Sequence, residues 1–185
     1  MTPIPATISN NLVGRIIALD IAGAWSVDHS RELMFAARKL RGVNTAEGDM
    51  IIGMIHCMDG NIPAMRTAFK NAIAFAPGFY GAKANFGAAL VKSGFFSEAI
   101  EYLLQAEVIA QKPLNYRMMS LACSCLGLES KARYFHGLSD FSAIGYDSVR
   151  KERADIKSKE QDEALAAVQE SLIKDAEIWE SLSKR

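Results

Sequence analysis

Side chains able to do chemistry are few in this chain, and their spacing argues against a catalytic or metal centre. The three histidines are His29, His56 and His136. None stands at a recognisable metal-binding spacing from another histidine or a carboxylate. Cys123 and Cys125 form a C-x-C pair on a segment expected to be helical. Side chains two residues apart on a helix point about 200° from each other. The four ligands of a closed tetrahedral site are missing, and small cysteines of this kind are usually buried. Lys92, Ser93 and Gly94 fall at the end of an expected helix rather than after a strand, so they form no phosphate loop. No nucleophile elbow and no cysteine–histidine arrangement stands out. The expectation is a protein with no catalytic residues, no cofactor and no metal.

Surface recognition remains, and charge narrows it. The chain has 185 residues, with 21 basic and 21 acidic side chains and a net charge of zero. That balance favours neither nucleic acid nor an anionic membrane. A composition of 50% hydrophobic and 23% charged residues suits a soluble domain with a sizeable core. No apolar run approaches the roughly 18–20 residues that span a bilayer. Arg15 and Asp20 interrupt the most apolar N-terminal stretch, and no basic segment precedes it, so no signal peptide is read. The odd cysteine count fits a reducing compartment, and the expected location is cytoplasmic.

The elements that would position a recognition surface are repeats. Shifting residues 49–78 forward by 34 places Gly53 on Gly87, Gly60 on Gly94, and Ala72 on Ala106. Phe69 falls on Leu103, Ile52 on Phe86 and Ile62 on Phe96. A third copy follows at a shift of 33, with Gly94 on Gly127 and Ala99 on Ala132. Small residues in register at this period signal stacked helix pairs. A mid-helix glycine costs roughly 0.8–1 kcal/mol against alanine, so Gly53 and Gly87 imply a close approach by a neighbouring helix. Gly60 and Gly94 follow the first helix of each pair, where a left-handed residue is favoured. Helices are expected near 47–59 and 61–76, 79–93 and 96–111, and 114–126 and 129–139. Strand signals are nearly absent.

These residues resemble the tetratricopeptide repeat (TPR) family. Ile52-Gly53, Gly60, Phe69, Ala72 and Pro77 carry the likeness in one unit. Phe86-Gly87, Gly94, Phe96, Ala99, Leu103 and Ala106 carry it in the next, and it covers about residues 46–140. Departures are specific. Asp49 and Lys83 stand where the family's early aromatic would be, and His56 and Leu90 replace a later one. Met65 replaces a small residue, Ser120 a glycine and Glu129 an aromatic. The resemblance implies an all-α solenoid of antiparallel helix pairs.

Before the recognisable repeats, residues 1–7 carry Pro3 and Pro5 and read as a mobile tail. Ser9 or Asn10 is expected to cap a helix to about Ala24, with Leu12, Ile16, Leu19 and Gly23 on one face. Asp28 or Ser30 is expected to cap a second helix, with Leu33, Phe35, Ala36, Ala37 and Leu40 inside and Gly42 at its end. This pair, 8–42, reads as a degenerate capping repeat, ahead of repeats at 46–78, 79–112 and 113–140. Residues 141–185 form a charged extension with a stripe of Leu165, Val168, Leu172, Ala176, Trp179 and Leu182. It reads as a long C-terminal helix folding back on the last repeat, or alternatively as a short coiled coil making a homodimer.

In this repeat class the first helix of each pair lines the inner wall. That implication places Met50, Met54, Cys57 and Met58 on the inner side of the first unit. Ala84, Asn85, Ala88, Val91 and Lys92 follow in the second, and Arg117, Met118, Leu121 and Cys125 in the third. Methionine suits surfaces that accommodate varied apolar partners; alternatively these methionines are core. Of the polar clamp used by family members that bind a free carboxylate, only Asn85 is matched; Met50, Met54, Leu114 and Met118 hold the other places. The apolar wall looks more like the small TPR chaperones of bacterial type III secretion. The expected function is a non-catalytic chaperone or adaptor that holds an apolar segment of a partner protein, with no nucleic acid and no membrane insertion. The alternative is a scaffold assembled through the C-terminal helix.

Overall fold

A computed structural model describes the backbone of residues 5–143 and the side chains of residues 8–139. Among the described residues there are eight helices and no strand. They are α1 (Pro5–Ile21), α2 (Val27–Arg41), α3 (Thr45–Met58), α4 (Ile62–Phe75), α5 (Tyr80–Lys92), α6 (Phe96–Ile109), α7 (Pro113–Cys125) and α8 (Glu129–Ala143). This is the all-α arrangement of helix pairs that the repeats imply.

One chain-reversal device recurs. Gly60 has a φ of +70° and Gly94 one of +84°. Asn61 N–H donates to His56 O at 2.9 Å and Gly60 N–H to Cys57 O at 3.1 Å. The same two bonds close α5 at Gly94 and α7 at Gly127, whose φ is +74°. This is the Schellman pattern, which satisfies the last carbonyls of a helix and needs a residue without a Cβ penalty at positive φ. Gly23 (φ +60°) does the same for α1. It is therefore the turn residue, not part of the apolar face of α1. The α1–α2 turn thus has the same closing bonds as the turns after α3, α5 and α7.

Helix starts also differ from the sequence reading. α1 begins at Pro5, so Ser9 and Asn10 lie inside it rather than at its start. Ser26, not Asp28 or Ser30, caps α2 by accepting from His29 N–H. Asn44 and Asn61 cap α3 and α4, accepting from Glu47 and Ala64 N–H at 3.2 Å each. An asparagine oxygen here satisfies one orphan donor of the first turn.

The chain divides into two compact units between Ala89 and Leu90, inside α5. In the first unit α1 packs on α2 and α3, α2 on α3, and α3 on α4. Leu33, Ala37 and Leu40 form the buried stripe of α2. Phe35 was expected inside, but it is 63% exposed. It lies about 200° around the helix from Leu33, and Lys39 Nζ sits 4.4 Å over its ring. The turn before α2 is tied to the end of α3. Trp25 Nε1 donates to Asp59 Oδ1 at 2.9 Å and Ser30 Oγ to Asp59 Oδ2 at 2.7 Å. The core centres on Phe69 of α4, which stacks on Phe86 of α5 with centroids 5.0 Å apart. A Cβ on Gly53 would come within 2.7 Å of the Phe69 ring. The mid-helix glycine is thus the floor on which the aromatic of the next helix rests.

In the second unit α6 packs on α7 and α7 on α8. Leu103, Ala106, Met119, Ala122, Cys123, Ala132 and Phe135 are buried. Ser120, in the place of the repeat glycine, donates Oγ to Ala132 O of α8 at 2.8 Å. A hydroxyl thus ties these helices where a bare backbone would let them touch.

Candidate protein-binding face

The face follows from which sides of the first helices their neighbours cover. In the first unit α3 lies against α5. Asn85 Nδ2 donates to Gly81 O at 2.8 Å and approaches Met50 Sδ at 3.4 Å. Cys57 Sγ lies 3.8 Å from Ala89 O. Met50 and Cys57 are seven residues apart, on one side of α3, and they meet successive turns of α5 in parallel register. Met54 lies between them, about 40° around the helix from Met50.

Burial sorts the ten expected residues. Met50 is 3% exposed and Val91 7%, so both are core. Helical period alone does not separate a helix side facing outward from one beneath an adjacent first helix, and Met50 lies under Asn85 and Gly81. Met54, Met58, Ala84, Asn85 and Ala88 are half-buried. In the second unit Met118 is half-buried, while Arg117 and Leu121 are exposed.

The clearest surface lies on α7. That helix has two apolar sides. Tyr116, Met119, Ala122 and Cys123 are buried. Leu114, Met118, Leu121 and Cys125 recur at a spacing of four, three and four on the other side. Leu114 is 56% exposed and Leu121 48%. Two leucines two turns apart, joined by a methionine, give a continuous apolar strip with Arg117 beside it. Leu114 was weighed in the sequence only as a mismatch to a carboxylate clamp. Its signal as a surface residue was the i, i+4, i+7 register shared with Met118 and Leu121.

Polar chemistry lies elsewhere. Glu107 of α6 is 5% exposed and accepts from Tyr116 Oη at 3.1 Å and Gln111 Nε2 at 3.0 Å. Asn115 Nδ2 donates to Leu103 O at 3.2 Å. These bonds fix the register of α6 against α7, as a satisfied buried network does. Asp49 stands where the family's early aromatic would be. Its side chain is 95% buried, with Oδ1 2.7 Å from Arg41 Nε and no partner on Oδ2. Burial pushes this carboxyl above its ordinary pKa, and the Arg41 guanidinium opposes the rise. An open depression of about 390 Å³ lies at the α7–α8 turn, lined by Leu128, Glu129, Lys131 and Arg133 among others. Among the described residues no group of three His, Cys, Asp or Glu side chains could hold a metal. No described helix is long and apolar enough to cross a membrane.

No protein-family model matches the chain, and no curated protein matches it in sequence. Solved structures do. The crystal structure of MamA superposes with a TM-score of 0.53 at 20% identity, covering 81% of each chain. PilF of Pseudomonas aeruginosa superposes with a TM-score of 0.61 at 15% identity, over 93% of this chain and 78% of that one. Both are TPR proteins. The chain therefore has the TPR fold, an all-α helical-repeat solenoid, as its glycine and alanine register implied.

Proposed function

We propose that this chain is a non-catalytic protein-binding module, a chaperone or adaptor that holds an apolar segment of a partner protein against its first helices. The strip of exposed Leu114 and Leu121 on α7, with half-buried Met118 between them, carries the reading. A helix whose core side is already filled has no folding reason to present two further leucines to solvent. In the first unit the half-buried Met54 and Met58 of α3 and Ala84, Asn85 and Ala88 of α5 extend the same surface type. Met50, covered by Asn85 and Gly81, and the buried Val91 are core rather than contact residues. Flexible thioethers and small side chains suit an apolar guest of variable shape. The sole match to the clamp set, Asn85, bonds its own helix at Gly81, which argues against a free carboxylate as the ligand. Resemblance to secretion chaperones belongs to this proposal, as does a cytoplasmic location.

The test is titration of a labelled amphipathic helical peptide with one apolar face. Leu121→Glu should weaken its binding by at least about tenfold, because an unpaired carboxylate buried at an apolar contact costs several kcal/mol. Helicity and melting temperature should be unchanged, since Leu121 is 48% exposed in the free protein. Undiminished binding by the folded variant would remove α7 from the site.

A further inference from the structure

The apolar strip on α7 has one covered edge and one open edge, and the open edge carries charge. Asn115 and Ala122, each one position past a leucine of the strip, are buried. On the other edge stand Arg117 and Ser124, both exposed and two turns apart. Arg117 follows Leu114 by three residues and precedes Leu121 by four, so its side chain neighbours both. α7 has no acidic residue. Glu107 of α6 accepts from Tyr116 on the buried side of α7, away from the strip. Arg15, Arg31 and Arg41 hold carboxylates of this chain at 2.7, 3.1 and 2.7 Å. Among the described residues Arg117 makes no such ion pair and no hydrogen bond. A guanidinium only donates and a serine hydroxyl is able to donate, so this edge favours acceptors.

A guest laid on Leu114, Met118 and Leu121 would take part of the Arg117 side chain out of water. An uncharged guest would leave that cation partly desolvated and unpaired, which is unfavourable. A guest lysine on the same edge would add like-charge repulsion. A guest glutamate or aspartate gives the guanidinium a charge-assisted partner, with two parallel hydrogen bonds in the best geometry. We propose that the partner segment is amphipathic and acidic, with carboxylates along one edge of its apolar face, and that Arg117 selects it. The inference rests on the partner-binding reading and adds the chemical class of the partner. It is distinct from capture of a chain-terminal carboxylate. Leu114 and Met118 hold the clamp positions of α7, and Arg117 acts as a charge at the rim of an apolar contact. Such rim charges discriminate between partners more than they add affinity.

Two labelled helical peptides provide the test, alike in one leucine face and carrying either glutamates or lysines beside it. Titrated with the full chain at low salt, the glutamate peptide should bind about fivefold more tightly. The difference should shrink in about 1 M salt, where the screening length falls to about 3 Å. Arg117→Glu should reverse the preference and Arg117→Lys should keep its sign. Arg117 is exposed, so both variants should fold as the natural chain does. Equal binding of the two peptides by the natural chain would overturn the acidic class and leave the partner-binding reading intact. A glutamate preference that survives Arg117→Glu would overturn the role given to Arg117. If neither peptide binds at any salt concentration, the partner-binding reading itself fails and the acidic class falls with it.

Discussion

Gly53→Ala tests the repeat architecture at its tightest point. A Cβ at this position would lie 2.7, 2.8 and 3.0 Å from three carbons of the Phe69 ring. Carbon atoms pack comfortably at about 3.5–4.0 Å, so the ring would have to retreat by about 1 Å. Its way back is blocked, because Phe86 stacks behind it at 5.0 Å and 14° and both rings are fully buried. Overpacking of this kind costs about 1–3 kcal/mol. Replacing glycine by alanine in a helix returns roughly 0.8–1 kcal/mol. The net expectation is destabilisation by about 1 kcal/mol. Gly14 is the control, since it lies in α1 of the same unit with nothing within 4 Å of its added Cβ. Gly14→Ala should therefore stabilise by the propensity gain alone. Urea unfolding followed by circular dichroism should separate the two midpoints by roughly 0.5–1.5 M, for a slope near 2 kcal/mol/M. Adding Phe69→Leu to Gly53→Ala should recover part of the loss. If Gly53→Ala stabilises as much as Gly14→Ala, the contact between α3 and α4 is not close and the account of the repeat glycine is wrong.

Ala72→Leu and Ala106→Leu each place a larger side chain at a site with no solvent exposure and should destabilise by about 1–3 kcal/mol; neutrality of both in urea unfolding would refute the repeat register. Asp49→Asn bears on pH. A carboxyl whose pKa is raised by folding binds its proton more tightly in the folded state. Its contribution to stability is fully present below the unfolded pKa and is lost as pH rises through the folded pKa. Melting temperature measured from acid to neutral pH should fall less steeply in Asp49→Asn than in the natural chain, and identical profiles would contradict the assignment.

Much of the fold was legible because its constraints are local. A residue at positive φ after each first helix must be glycine, and Gly60, Gly94 and Gly127 announced three turns at fixed spacing. Gly23 was missed because it also fits the apolar register of α1, and period alone does not distinguish a packed position from a C-terminal turn. Phe35 was placed inside by its hydrophobicity, although Leu33, Ala37 and Leu40 already formed the stripe. Asp49 carried no legible signal of burial, since its partner Arg41 lies on the preceding helix. On α7, Arg117, Met118 and Leu121 were named only through the inner-wall position that the resemblance implies; the second apolar side of that helix, with Leu114 on it, becomes visible once Tyr116, Met119, Ala122 and Cys123 are known to be buried. The burial of Met50 was not legible, because its cover is α5, some thirty residues on.

The account's central claim is that an apolar guest lies on the first-helix face. Methionine methyl resonances test it most directly, during titration of the full chain with the amphipathic peptide. Met118 of α7 should shift, while the fully buried Met65 and Met119 should stay in place. Saturable binding that leaves the Met118 methyl unmoved and shifts Met34 of α2 instead would put the guest on a different face and contradict the claim.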